Sequence, residues 1–385
     1  MAGDIAGTDG LFQFEDCLLK HFVRTEAWLP FCRRRLKILR GSLPQKAQRR
    51  LKYFTFCAVG AIDVLMLDVA KVIARSPGGR FDTVYFFHQT PELVDETIKR
   101  IPGAIGFPGD FVDLVLTPDP LGDDVLSILD APSDQPDNAD TRRHQIFRAT
   151  RRQFLLSFPF DVINLDLERF FFRPNDPIPG QLVNAMRTIF QWQCNPCKSP
   201  NGKHYPLGGF TLLFTTQIGP PNLGADYLAM LRHSLLQNLE KFPDLVPLLE
   251  KKAGTSDVTV LERENFAAFF KLAVPKTIAK ILDESDWHID EKSGVKIYEF
   301  DRNSVDGPYT MLHLAMDVKR KQPPFNERPP GQDSPAAQEA YSKVVRQIFD
   351  DAEMVVSDEV IDKEALQKSL ERIKSRRRKY NPEEA

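Results

Sequence analysis

Tyr53–Gly60 reads YFTFCAVG, and this run decides the fold. It is apolar at successive positions rather than at alternate ones, rich in aromatic residues, and it closes in small side chains. That is the pattern of a strand covered on both faces. Four further runs follow: Thr83–Phe87 (TVYFF), Ala104–Phe107 (AIGF), Asp161–Asp166 (DVINLD) and Phe210–Thr216 (FTLLFTT). Helix-length segments separate them, which predicts an α/β fold with a parallel sheet and helices on both faces. Ligands of such sheets bind at the carboxyl ends of the strands, so the residues that close each run are where a site is sought.

Outward from these runs the helices declare themselves. Asp63–Ile73 is helical in pattern. Thr90-Pro91-Glu92 starts a helix, with Thr90 as N-cap and proline at the first position, and Pro102-Gly103 stops it. His144–Ser157, Pro179–Gln193, Asp226–Lys251 and Asn265–Leu282 follow. Val295–Phe300 and Tyr309–Met316 alternate like antiparallel strands joined by a turn over Asn303–Pro308, which predicts an antiparallel pair at one edge of the sheet. The chain therefore divides into an N-terminal helical region (1–52), an α/β domain (53–320), a proline-rich linker (321–336) and a charged helical tail (337–385). The tail carries the stripe Val344, Val345, Ile348, Phe349, Leu366, Leu370 and Ile373. Within the α/β domain, residues 117–141 are acidic and proline-rich and predict a flexible insertion. The N-terminal region shows Leu18, Leu19, Phe22 and Leu29 at helical spacing, and Ser42-Leu43-Pro44 reads as a break before a short helix to Leu51.

A net charge of −2 excludes a protein that coats nucleic acid through bulk positive charge. Local basic segments remain at residues 33–52, at Lys374–Lys379, and on the helix that carries Arg142, Arg143, Arg148, Arg151 and Arg152. These either meet phosphates of a nucleic acid or form solvated faces. Five cysteines at irregular spacing do not form a disulfide framework and predict a reducing cytoplasm. No signal peptide and no membrane-spanning run is read. Cys194-Asn195-Pro196-Cys197, with His204 nearby, has the spacing of half a zinc site, but a structural zinc needs four ligands, so no metal is expected. No phosphate loop of the GxxxxGK[ST] type, HExxH or GxSxG occurs.

Taken in order, FTFCAVGAIDV at the first strand, GDF (109–111) after the third and FDVINLDL (160–167) at the fourth make residues 53–320 resemble the class I S-adenosylmethionine-dependent methyltransferases. Within that family the chain resembles the three-Cys-motif partner proteins of bacteria. The resemblance implies a Rossmann-like mixed sheet of five parallel strands plus an antiparallel edge pair, with S-adenosylmethionine as cofactor. It places Cys57, Ala58, Gly60 and Asp63 in the turn that approaches the cofactor's amino-acid part. It puts His88 and Gln89 at its ribose, where the family carries an acid, and Asp110 with Phe111 at its adenine. Asn164 and Asp166 fall where the family's polar groups orient substrate or accept a proton. Two readings stay open: a methyltransferase acting on nucleic acid or protein, and a non-catalytic scaffold that binds a partner protein or nucleic acid in a bacterial defence or mobile-element module.

Overall fold

The structure, a computed structural model, describes residues 18–42, 50–56, 60–117, 139–170, 180–195, 197–198, 204–205, 207–219, 223–290, 295–302, 309–321, 346 and 353–380. At its centre is a nine-stranded sheet. In chain order the strands are β1 (Tyr53–Thr55), β2 (Val84–His88), β3 (Ile105–Pro108), β4 (Val162–Phe170), β5 (Gly209–Gln217), β6 (Trp287–Ile289), β7 (Val295–Arg302), β8 (Tyr309–Arg320) and β9 (Glu353–Val356). Across the sheet they lie in the order β3-β2-β1-β4-β5-β8-β7-β9, with β6 paired to β8.

The five expected runs are parallel neighbours: β1 pairs with β2 and β4, β2 with β3, and β4 with β5. β8 is antiparallel to β5, β6 and β7, while β9 runs parallel to β7. Eight described strands thus share one direction and β8 alone opposes them. The expected pair β7–β8 is antiparallel as read, but it does not close the sheet. The hairpin partner β8 inserts between β5 and β7, and the edge itself is β9. The helical reading of the tail is corrected at the same place, since Glu353–Val356 is a strand. Its valines supply β-propensity, and β7 offers a free edge to pair with. The first run is also shorter than read, with strand geometry ending at Thr55, and Cys57 and Ala58 lie outside the described residues. Of the insertion read over 117–141, residues 118–138 lie outside them, and Ala139 already starts a helix; residues 322–336 of the linker and the tail positions Val344, Val345, Ile348 and Phe349 lie outside them as well.

The helices are α1 (Leu18–Val23) and α2 (Leu29–Ser42), joined without interruption by a π-helical turn (Arg24–Trp28), then α3 (Ile62–Val69), α4 (Pro91–Arg100), α5 (Phe111–Leu116) and α6 (Ala139–Ser157). After these come α7 (Gln181–Trp192), α8 (Ala225–Lys241), α9 (Leu245–Ala253), α10 (Val258–Glu264), α11 (Phe266–Glu284) and α12 (Lys363–Tyr380). Thr90 caps α4 as expected, accepting from the Leu93 amide at 3.4 Å. The helix read over 226–251 divides at Phe242-Pro243, because the residue before a proline is pushed out of the helical region.

Alternation along the strands sorts the core into two layers. Phe54, Ile163, Leu165, Leu212, Phe214 and Leu314 face the layer of α5 to α11. Tyr53, Val84, Phe86, Val162, Leu213, Ala315 and Tyr298 face α1 to α4 and α12. The apolar stripe Leu366, Leu370, Ile373 of α12 is buried in this second layer, as its spacing predicts.

Candidate functional site

The chain winds from β1 outward through β2 and β3, then returns to lay β4 and β5 on the other side of β1. The carboxyl ends of β1 and β4 therefore flank the point where the winding reverses, which in sheets of this kind is the ligand crevice. β1 ends beside it at Thr55, and Gly60-Ala61 precede α3. Ala61 takes φ 50°, ψ 33°, a left-handed conformation that costs a residue with a Cβ about 1 kcal/mol. Its carbonyl accepts from the Leu65 amide at 3.0 Å, starting α3.

Asp63, read as part of the cofactor turn, is buried in the first turn of α3. Its Oδ2 accepts from the Tyr53 hydroxyl at 2.9 Å and from the Thr55 hydroxyl at 2.8 Å. Asn164 stands opposite Thr55 in the β1–β4 register and is fully buried. Its Nδ2 donates to the same two hydroxyls, at 3.0 and 3.1 Å. Each hydroxyl has one proton, already given to Asp63, so the amide must face them with its NH2 group. Asn164 Oδ1 then finds no hydrogen-bond partner among the described residues. Burial and the neighbouring carboxylate push the Tyr53 phenol well above its usual range. In this arrangement Asn164 ties β4 to β1.

Asp166 is likewise engaged by the fold. Lys20, reaching down from α1, meets it at 2.7 Å with both side chains less than a tenth exposed. On the same row of the sheet, Asp166 lies beside Thr215 and Thr215 beside His313. Trp28 Nε1 donates to His313 Nε2 at 3.0 Å, and His313 Nδ1 lies 2.8 Å from Thr215 Oγ1. Trp28 Nε1 also lies 3.2 Å from His313 Nδ1, so either ring nitrogen can accept from it and the direction of the His313–Thr215 bond follows the tautomer. Burial, with Lys20 opposing and Asp166 favouring the charge, holds the His313 pKa down at about 3. His313, read from the alternation of β8 as a packed or edge-facing residue, is packed. Lys20, Trp28, Thr215 and Tyr53 had not been singled out. Lys20 sits among Leu18, Leu19 and Phe22 with no periodic signal to mark it, whereas the period of two in Met311, His313 and Ala315 places His313 on a buried face.

The other two strand ends are more open. At β2, His88 Nε2 lies 2.8 Å from Thr97 Oγ1 on α4, which turns the ring back toward that helix, while Gln89 is exposed. At β3, Gly109 adopts φ 120°, a conformation that L side chains rarely adopt, and Asp110 follows as the exposed N-cap of α5. Asp110 Oδ1 accepts from the amides of Val112 at 2.8 Å and Asp113 at 3.2 Å. Phe111 packs edge-on against Phe56 and Phe87, with ring centroids 4.8 and 5.6 Å apart, so it is a core residue rather than an exposed platform.

Of the basic candidates, Arg151 is buried with its guanidinium 5.9 Å from the Trp192 ring, Arg148 is exposed and Arg152 half-buried. The side chains of Arg142 and Arg143 lie outside the described residues. In the 33–52 segment, Arg35 is buried, Arg34 lies 2.9 Å from Asp317, and Arg50 holds Asp82 through two bonds of 2.6 and 2.8 Å; Arg33, Lys37 and Arg40 remain exposed. Cys194 donates to the Ser285 carbonyl at 3.6 Å, and Cys197 stands in a two-residue ribbon with His204 and Tyr205. Among the described residues no group of three or more His, Cys, Asp or Glu is placed to hold a metal, and no helix is long and apolar enough to cross a membrane. No protein-family model matches the chain, and no curated protein matches it either.

Proposed function

We propose that this chain is a class I methyltransferase-like protein that binds S-adenosylmethionine in the crevice at the β1–β4 reversal. The observation that carries the reading is the sheet itself: five parallel strands in the order β3-β2-β1-β4-β5, followed by the one reversed strand β8 beside β5. In such a sheet the small turn Gly60-Ala61 lets backbone approach the amino-acid part of the ligand, and exposed Asp110 offers a carboxylate oxygen to the adenine amine. Gln89 is the exposed polar side chain at β2, able to meet ribose hydroxyls without a fixed charge. The donor set fits the cofactor at β1 and β3 and fits it less well at β2. When bound, S-adenosylmethionine supplies an electrophilic methyl group. The chain's own part is to hold the acceptor in line with it, and the acceptor class is nucleic acid or protein. Asp166 is paired with Lys20, and Asn164 with the Tyr53 and Thr55 hydroxyls, so the reading assigns no step to either.

That pairing favours a second reading, a methyltransferase-like scaffold without catalysis that binds a partner protein or nucleic acid. Calorimetric titration with S-adenosylmethionine and S-adenosylhomocysteine, beside Asp110→Ala, separates the two. Micromolar binding that weakens at least tenfold in the variant supports the cofactor reading. Absence of binding by a folded protein sinks it and leaves the scaffold.

A further inference from the structure

We infer that Asp63 is a positioning residue: the Asp63–Tyr53–Thr55–Asn164 network is a clamp that holds the strained turn at Gly60-Ala61 in shape. The clamp is independent of any ligand. Its role in binding deepens the cofactor reading above and rests on it.

The geometry explains why these four side chains are together. Tyr53 and Thr55 stand on β1, and Asp63 stands in the first turn of α3, just after Gly60-Ala61. A single carboxylate oxygen receives both hydroxyls, at 2.9 and 2.8 Å, so the two arms of the turn are tied at one point. Asn164 spans both hydroxyls from β4 and fixes their direction, at 3.0 and 3.1 Å. All four residues are nearly or wholly shut off from water. All the hydroxyl protons and the Asn164 amide protons directed at them are used within the network, Asn164 Oδ1 being the one atom left over, and such a set of bonds favours one arrangement over others. What it specifies here lies between its two arms, at Ala61 with φ 50°. A left-handed alanine relaxes unless its surroundings over-determine it. Ala61 has no side-chain cap of its own and is packed in the core layer, and the carboxylate two positions on reaches back to both β1 hydroxyls and adds a polar constraint to that packing. Four polar groups in the middle of an apolar layer are a costly way to fill space, which an aliphatic set would fill at less cost. Their use beside the crevice is accounted for by the shape they impose on it.

The test is amide hydrogen exchange read by mass spectrometry on the full chain, with S-adenosylhomocysteine titration on the same samples. Asp63→Ala should speed exchange of the amides of Ala61 to Leu65 at least tenfold and leave β5 and β8 amides unchanged. Asp63→Asn keeps an acceptor oxygen for both hydroxyls and should stay within about threefold of the parent. Ala61→Gly placed on Asp63→Ala removes the strain the clamp opposes and should recover most of the lost protection. Tyr53→Phe cuts one leg only and gives the same local pattern at smaller size, which keeps the test open if Asp63→Ala does not fold. Unchanged exchange at Ala61 to Leu65, an equal rise across the whole sheet, or no recovery with Ala61→Gly would each overturn the clamp. Where the parent binds S-adenosylhomocysteine, Asp63→Ala should lose at least tenfold in affinity and the glycine variant should regain it; unchanged affinity overturns the positioning role. A parent that binds nothing overturns the cofactor reading, while the exchange result still decides the clamp.

Discussion

Lys20 and Asp166 are each less than a tenth exposed, so water screens neither charge and removing one strands the other. Lys20→Met keeps the apolar stem and leaves the carboxylate buried beside an imidazole that is itself neutral. Breaking one side of a buried pair costs about 3–5 kcal/mol, and pairing the change with Asp166→Leu should cost less than the sum of the two single changes. Urea unfolding of the four proteins reads this; a Lys20→Met cost below about 1 kcal/mol would mean the pair does not carry the charge balance of this face. The histidines make a matching pH prediction. Burial holds His313 at about 3 and His21 at about 4, below the unfolded value of 6.5. Between about pH 5 and 6.5 the unfolded chain takes up protons that the folded chain refuses, so stability falls as the pH falls through that window. Two such groups give a slope of at most about 2.7 kcal/mol per pH unit, and above 6.5 neither contributes. His313→Gln should remove about half the slope, and an unchanged slope would show that His313 is not held neutral.

Among the elements, those legible in the sequence were those whose signal is local. The five runs with apolar residues on both faces became the five parallel strands, and Thr90-Pro91-Glu92 opened a helix, because burial on two faces and capping are written in consecutive residues. What escaped depends on distant partners. Glu353–Val356 is short and stands in charged surroundings, and only the edge of β7 makes it a strand. The break between α8 and α9 follows from Pro243, whose effect on Phe242 was read through rather than read. α12 offers a test of the part that was legible. Its stripe residue Leu370 is 1% exposed and its neighbour Lys368 is exposed. Leu370→Ala should cost about 2–5 kcal/mol, whereas Lys368→Ala should stay within about 0.5 kcal/mol. Equal, small effects in thermal and denaturant unfolding would show that α12 does not belong to the core layer it covers.

At the scale of the molecule, the positions of the candidate site were legible and the roles of its side chains were not. Strand positions can be found from apolar patterning, but their ends shift: the first strand stops at Thr55, short of Gly60, and the fourth runs on past Asp166 to Phe170, while Asp110 follows just after the third. Whether an acid at a strand end faces solvent or another side chain is decided by whatever packs over it, and here that is a helix more than a hundred residues upstream. The N-terminal region, read as a unit separate from the α/β domain, supplies Val23, Ala27, Trp28, Phe31, Cys32 and Leu39 to the same core layer as β1, β2 and β4. It also brings Lys20 to Asp166, Trp28 to His313 and Arg34 to Asp317. Removing it would therefore expose an apolar face and leave two buried carboxylates and a buried imidazole without the groups that balance them. Each of those losses alone is of order 1–5 kcal/mol, and together they are comparable with the roughly 5–15 kcal/mol that holds a domain folded. A chain starting at residue 50 should consequently show no cooperative unfolding transition and should bind a dye that reports exposed apolar surface. A truncated chain that unfolds cooperatively, with a midpoint near that of the full chain, would show that the sheet and its other helices stand alone and that α1 and α2 are an appendage.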